Sequence, residues 1–579
     1  MNKLVVVALF IFYCGKVFSQ ELGPEDTLFH TSRTFGTTNE LVHVMDGFSS
    51  SFFFHPQHSV VNALDLLQPG LSSFSTADKA VKPFLFSALP HLGFGFGFGA
   101  QGSQILRLDY EQAFAHQTLL NLRYDRWQRT GFIRSDDLRF SGLQLKLYQK
   151  GRAHELQVTF DNASDDRQWS GGIADYTQLT ALALDLIPVL KEQAYTQKNS
   201  YCGTIDLRYR LLGDSIRRLN LASYHAYNFQ QRIYNEIGNL AAYYPQTFLN
   251  TDTCTDTFRQ VYFDNRFGLN WSTPKLNISS LMGVKQRQWA DASLQYDTLE
   301  LNWNNQLIFL DKNHAFKHEN TINLVGAGQG LHFNSSYAFG NHKTPFTFRI
   351  KHRFSNEWPV LLQRTYLSNL TNYNWSNPQK EKLHQIIAAM AYGSTLLNID
   401  FNVSLASYES IYRFDMTTMS WNTNTLASVG QLATFGTKLK YCVGPLKMSS
   451  SYEFLAQNSN QFLPKHRAAL ALQWSGGIFK DQRLKVSLEG QLSYQSKFQA
   501  LVFLPFIESL DSSAIQNTPE QNGFLNAQVN MALEVKTFRF FINVANLGSY
   551  WNQSAISMIQ GYPFAPMQIR IGLTWDFWN

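Results

Sequence analysis

Apolar and polar residues alternate along most of the chain after residue 90. In 93–99, Phe94, Phe96 and Phe98 alternate with glycine, and in 525–535 every second residue is again apolar. Successive side chains of a β-strand point to opposite faces, so this period of two predicts strands with one apolar and one polar face. The longer segments reach the roughly 9 to 11 residues that a tilted strand needs to cross a bilayer.

The composition favours a membrane-spanning sheet over a soluble one. Charged residues make up 16% of the 579 residues and aromatic residues 15%, whereas soluble proteins carry about 25% charged residues. No mature segment has the run of about 18 apolar residues that a spanning helix needs. A soluble β-sandwich or propeller is the alternative, but the polar strand faces and the lack of a repeat of about 40 to 50 residues weigh against it.

These observations predict an all-β protein, namely a transmembrane antiparallel β-barrel. Dividing about 480 residues by roughly 30 per strand and connection gives about 16 strands, and barrels with an even number between about 14 and 18 fit. We therefore expect a signal peptide at 1–19, an N-terminal periplasmic or lumen-facing segment at 20–81, and the barrel at 82–579.

Both ends of the sequence indicate export to the cell outer membrane. Lys3 precedes an apolar stretch at 4–13, and Ser19 stands before the predicted cleavage site, which is the layout of a secretory signal peptide. The last residues alternate again, with Trp575 and Phe577 on the apolar phase. Such a final strand is typical of the signal that outer-membrane barrels present to the barrel assembly machinery.

The sequence carries no motif of the common enzyme classes. H-E-x-x-H, G-x-S-x-G and C-x-x-C do not occur, so we expect no catalytic residues, no metal and no cofactor. Histidines on barrel strands, such as His225 and His352, are expected to be lumen-wall residues rather than bases. The formal charge of +6 gives no reason to expect a nucleic-acid partner. Cys202, Cys254 and Cys442 leave one disulfide open as an alternative.

Aromatic residues are candidates for the girdles that flank the lipid band of a barrel. Tyrosine and tryptophan prefer the bilayer interface, where the ring contacts apolar groups while its polar atom stays hydrated. The candidates lie at or just past the ends of apolar runs: Tyr124, Trp127, Tyr148, Tyr209 and Trp575.

Two short motifs resemble a known family. The first is W-S-G-G-I-A-D at 169–175, followed by I-P-V-L at 187–190, and the second is Tyr562-Pro563 before the closing strand. They resemble the putative porin family of Bacteroidota outer membranes, with Ser170 in place of the usual asparagine. The closing strand is shared with TonB-dependent receptors. The resemblance implies a barrel and diffusion of solutes through it.

The leading functional prediction is a porin-like channel for passive diffusion of small hydrophilic solutes, and not an enzyme. Its partners would be outer-membrane lipid, the assembly machinery and the solutes, with homo-oligomerisation left open. Selectivity would come from charged side chains that project into the lumen. The candidates lie on the polar phase of their strands: Arg107, Arg123, Arg208, Arg349 and Arg570. Their slight cationic excess favours anionic solutes, although neighbouring aspartates offer ion pairs.

Two other functions were possible for such a barrel. Energised uptake by a TonB-dependent receptor needs a plug domain of over a hundred residues before the barrel, and strand-like alternation already begins near Leu92, so we expect no room for a plug. A barrel without an open pore, acting as an outer-membrane assembly factor or enzyme, remains the alternative.

Overall fold

The computed structural model describes residues 90–578 except for several short gaps. The gaps are 115–117, 181, 215, 291–294, 327–328, 341–344, 359–367, 371–379, 410–412, 416, 423–428, 458–463, 480–482, 501, 512–519 and 552–558. The predicted signal peptide at 1–19 and the predicted segment at 20–81 lie outside the described residues, as do the first residues of the predicted barrel range.

The described chain folds into one closed antiparallel barrel of 22 strands. Each strand pairs with its neighbours in the sequence, and β1 also pairs with the last strand, which closes the sheet. The barrel strands are β1 (His91–Gly99), β2 (Gln104–Phe114), β3 (Thr118–Arg129), β4 (Leu138–Lys150), β5 (His154–Gln168), β6 (Ala194–Gly213), β7 (Arg218–Ile237), β8 (Thr253–Ser272), β9 (Leu276–Ala290), β10 (Gln295–Leu310), β11 (His314–Val325), β12 (Gly330–Phe339), β13 (Phe346–Glu357), β14 (Glu381–Gly393), β15 (Leu397–Glu409), β18 (Val429–Val443), β19 (Leu446–Gln457), β20 (His466–Ile478), β21 (Leu484–Gln495), β26 (Phe524–Val535), β27 (Phe538–Ala545) and β28 (Gln568–Trp578).

The predicted number of about 16 strands is wrong. The prediction allowed roughly 30 residues per strand and connection, whereas half of the connections are tight turns such as 394–396 and 536–537. A strand and its connection therefore take about 22 residues on average, and the barrel has 22 strands instead of the predicted 16.

The two ends of the barrel differ in their connections. The turn end carries the short connections together with the start of β1 and the end of β28. The loop end carries the long connections 169–193, 238–252, 358–380, 410–428, 496–523 and 546–567. Outer-membrane barrels have short periplasmic turns and long extracellular loops, and the two ends of this barrel differ in the same way.

The strand faces follow the predicted alternation. In β1, Leu92 and Phe98 are exposed on the outer face, whereas His91 is buried on the opposite face. Rows of large exposed apolar residues continue around the outer face, as in Phe346, Phe348 and Ile350 of β13. A belt of this kind fits lipid, and the opposite faces carry most of the charged residues.

Four local predictions need correction. Trp127 and Tyr148, predicted to lie in an interfacial girdle, are on the inner face, where Trp127 is buried and stacks on Phe140 with ring centroids 4.4 Å apart. His225 and His352, predicted to be lumen-wall residues, are on the outer face, where the ring of His225 meets Phe267 edge-on at 5.1 Å. Trp575 is exposed on the outer face and stacks on Phe577.

The long loops contain short elements of their own. The strands β16 (Arg413–Asp415), β17 (Ser420–Asn422), β23 (Val502–Leu504) and β24 (Ser509–Asp511) form a small sheet in the order β17-β16-β24-β23. Strands β22 (Phe498–Gln499) and β25 (Glu520–Gln521) pair separately. Helix α1 spans Leu240–Tyr243, and single 3₁₀ turns lie at Tyr176–Thr180, Leu184–Leu186 and Leu547–Tyr550. Among the described residues, no helix is both long and apolar enough to span a membrane.

Candidate functional site

Loops from one side of the barrel reach the wall on the other side. The four short strands β16, β17, β23 and β24, here called the mouth sheet, belong to the connections β15–β18 and β21–β26. Their residues pack against β6 to β9, which lie about nine strands away around the ring of 22. The mouth sheet therefore crosses the opening at the loop end.

A buried ion cluster fixes the mouth sheet to the wall. Glu508, between β23 and β24, pairs with Lys198 of β6 and lies 3.5 Å from Nε of Arg232 of β7. Arg232 also donates hydrogen bonds to the carbonyl oxygens of Pro505 at 2.9 Å and Phe506 at 2.5 Å. Buried charges are stable only when paired and hydrogen-bonded, and this arrangement meets that condition for all three. We call Lys198, Arg232 and Glu508 the anchor.

An aromatic cluster surrounds the anchor. Phe506 is fully buried and meets the rings of Tyr244 and Phe414 edge-on at 5.6 and 5.3 Å. On the wall, Phe258 of β8 packs against Trp289 of β9. Burying a side chain of this size contributes about 1.5 to 3 kcal/mol, so apolar packing and ion pairing hold the mouth sheet together.

A second buried cation holds the neighbouring loop 169–193. Nζ of Lys191 lies 2.8 Å from Glu236 and 4.1 Å from the ring centre of Tyr243, and it donates a hydrogen bond to the hydroxyl of Tyr244. Burial lowers the pKa of Lys191 to about 8, and the adjacent Glu236 opposes this shift. Burial likewise raises the pKa of Tyr244.

The two family-like motifs meet at one point of the loop end. Gly172, with φ of +96°, lies against Gly561, and a Cβ on Gly172 would stand 2.5 Å from the Cα of Gly561. The amide of Ile173 donates to the carbonyl of Gly561 at 2.7 Å. Ile173 then packs with Ile133, Ile187 and Val189, with Tyr562 against them. The W-S-G-G-I sequence and the residues before Tyr562-Pro563 thus hold the loops 169–193 and 546–567 together.

The five arginines predicted to line the lumen lie on the strand face opposite the apolar rows, in differing surroundings. Arg107 and Arg123 are buried and share Asp125, at 2.6 and 2.8 Å. Arg570 is buried and donates to Gln568 at 2.9 Å and to Asn543 at 3.3 Å. Arg208 is exposed and pairs with Asp206 at 3.3 Å.

Arg349 stands apart from the other four. It is exposed in the middle of β13, and the described part of the chain offers it no carboxylate within ion-pair distance. Lys351 and Arg353 follow on the same face of β13, are also exposed and likewise lack an ion pair among the described residues. The structure does not bring the five predicted arginines together, but it places one of them in a row of cations.

Sequence reasoning missed the anchor. Lys198 and Glu508 are 310 residues apart in the chain, and no spacing rule links positions so distant. Within the described ranges, no group of His, Cys, Asp and Glu could hold a metal ion, and Cys202, Cys254 and Cys442 are free thiols.

Comparisons with known proteins address the family and the fold. The family described as Putative porin matches residues 101–579, and no curated protein sequence matches the chain. The structure of the copper transporter OprC is similar, with a TM-score of 0.63, 9% identity, and coverage of 86% of this chain and 81% of that one.

Two iron-related structures are similar as well. The FrpB iron transporter from Neisseria meningitidis (F3-3 variant) gives a TM-score of 0.59 at 9% identity, covering 85% of this chain and 82% of that one. The ferric-catecholate import receptor Fiu from E. coli K12, in its closed form, gives 0.55 at 10%, with coverage of 85% and 82%. At these identities the likeness shows a shared barrel fold alone.

Proposed function

Since this chain belongs to the Putative porin family, we propose that it is an outer-membrane channel through which small hydrophilic solutes diffuse passively. The proposed route enters at the loop end beside the mouth sheet and follows the polar inner wall to the turn end. No covalent step is involved. An origin in Bacteroidota is part of the proposal and is supported by the likeness at residues 169–175.

The observation that carries the proposal is the closed 22-strand barrel with an apolar outer face and a polar inner face. A small barrel of about 8 strands is filled by its own side chains, whereas larger barrels enclose a lumen. Exposed polar and charged residues on the inner face of β11 to β13, including Lys317, Asn334 and Lys351, are consistent with a wet interior on that side.

The mouth sheet would act as the constriction of this channel. It crosses the loop end and is fixed by the anchor and the aromatic cluster. We propose that solutes pass along the wall around β11 to β14, which lies between the attachment of the mouth sheet on β6 to β9 and the β15–β18 connection from which part of that sheet comes.

Single-channel recording tests the proposal. The purified full-length chain is inserted into a planar bilayer in KCl, and we expect discrete and stable current steps. Liposomes that contain the protein should also swell in isotonic solutions of small neutral sugars. A barrel that inserts correctly but gives neither current nor swelling would contradict the proposal and favour a closed barrel that serves in assembly or catalysis.

A further inference from the structure

Strand β13 carries three cations in a row on the inner face. Arg349, Lys351 and Arg353 occupy alternate positions between the outer-face residues Phe348, Ile350 and His352. We propose that these three residues, here called the cation row, bind and guide anionic solutes and make the channel anion-selective. This inference rests on the proposed channel function and names its solute class.

The strands beside β13 offer the cation row no charge compensation. On β12, the residues opposite Arg349, Lys351 and Arg353 are Ala338, Ser336 and Asn334. On β14, they are Ala389, Ile387 and Gln385. A carboxylate directly across the strand pair would neutralise such a cation, as Asp125 does for Arg107. All six neighbours are uncharged, so the field of the row extends into the lumen.

The spacing of the row suits an anion that moves along the wall. Alternate residues of a strand are about 7 Å apart, which is shorter than the Debye length of about 8 Å at physiological ionic strength. The potentials of neighbouring cations therefore overlap, and an anion can pass from one to the next without crossing a neutral gap. Positive residues on a pore wall favour anions in this way.

Nearby carboxylates weaken the row only in part. Glu319 on β11 is held by Lys317 at 2.8 Å and by Gln306 at 2.6 Å. Glu357 lies at the loop end of β13, four residues beyond Arg353, with which it interacts electrostatically, and Glu381 of β14 stands opposite Glu357. Asp400 on β15 stands opposite Lys438 on β18 in the strand register. Lys440, two residues further along the same face of β18, is exposed and stands opposite the uncharged Asn398. Cations thus remain in excess on this part of the wall.

Reversal potentials in a KCl gradient across a planar bilayer test the inference. We expect the native chain to pass chloride several-fold better than potassium. The triple variant R349Q/K351Q/R353Q should lose most of that preference, and K351E alone should shift it in the same direction. The control variant K275Q/K382Q/K536Q removes the same charge from turns and the outer face, and its reversal potential should match that of the native chain.

The possible results distinguish the inferred anion selectivity from the channel function on which it rests. A native channel that conducts without anion preference, or a triple variant with unchanged selectivity, would overturn the inference and leave the channel function standing. A native chain that inserts but stays silent would overturn the channel function itself. If the triple variant fails to insert, the single variant K351E decides, because it changes one exposed side chain; an unchanged reversal potential for K351E would then overturn the inference.

Discussion

Two parts of the inner wall use charge in opposite ways. On β6 and β7, Lys198 and Arg232 are buried, paired with Glu508 and hydrogen-bonded to loop carbonyls. On β13, Arg349 and Lys351 are exposed, and no carboxylate lies opposite them. The first set of charges holds a loop in place, and the second set faces solvent. Among the described residues, charge on the barrel wall is therefore structural where loop residues pack on it and exposed where none do.

The strands under the mouth sheet are longer than those around the cation row. Strands β6, β7 and β8 have 20 residues each, whereas β12 has 10 and β13 has 12. A strand of about 9 to 11 residues already crosses the lipid. The additional residues of β6 to β8 supply the surface on which the mouth sheet rests.

The largest effect is expected from breaking the anchor. The variant R232Q removes the donors to Pro505, Phe506 and Glu508, and losing one partner of a buried charge pair costs about 3 to 5 kcal/mol. We expect amide hydrogen exchange in 502–511 to accelerate by at least roughly 100-fold and the single-channel conductance to rise. The matched variant R349Q should leave this exchange unchanged. Equal exchange in R232Q and the native chain would show that the anchor does not hold the mouth sheet.

A somewhat smaller effect is expected at the glycine contact. G172A puts a side chain on a residue with φ of +96° and against the backbone of Gly561. Strain and overpacking together cost about 2 to 4 kcal/mol. Limited proteolysis should cut the loops 169–193 and 546–567 faster in this variant. G490A is the control, because no atom lies within 4 Å of a Cβ built there; equal cleavage of both variants would refute the close contact.

The cation row should contribute almost nothing to stability. R349Q changes an exposed side chain that has no ion partner among the described residues, and such surface substitutions stay within about 0.5 kcal/mol. The apparent melting temperature in detergent should therefore match that of the native chain, while the reversal potential shifts toward neutrality. A clear loss of stability would mean that Arg349 is a structural charge like Arg232.

The docking of the loop 169–193 should also depend on pH through Lys191. Its pKa is about 8 in the folded loop and about 10.5 when exposed. Between these values the released loop binds a proton that the docked loop does not, so docking strengthens as pH rises from 8 to 9.5. Hydrogen exchange of 185–193, corrected for its intrinsic pH dependence, should slow accordingly, and K191M should remove the effect. Weaker docking at pH 9.5 would contradict the assignment.

The sequence predicted most of the barrel and little of its mouth. A strand such as β26 is predictable because lipid on one side and water on the other impose a period of two. The polar residues at 161–168 also belong to β5, but no apolar face marks them as a strand, because outside the lipid neither face needs to be apolar. The motif at 169–175 can be identified from the sequence. Its contact with Gly561 joins two loops that are far apart in the chain, and no local pattern predicts such a contact.

Cysteine labelling tests the central claim most directly, because β13 places neighbouring residues on opposite faces. In a background without Cys202, Cys254 and Cys442, the variants K351C and I350C are reconstituted into liposomes and treated with a charged, water-soluble thiol reagent. The structure predicts rapid labelling of K351C from the lumen and almost none of I350C, which faces lipid. Rapid labelling of I350C together with protection of K351C would contradict it.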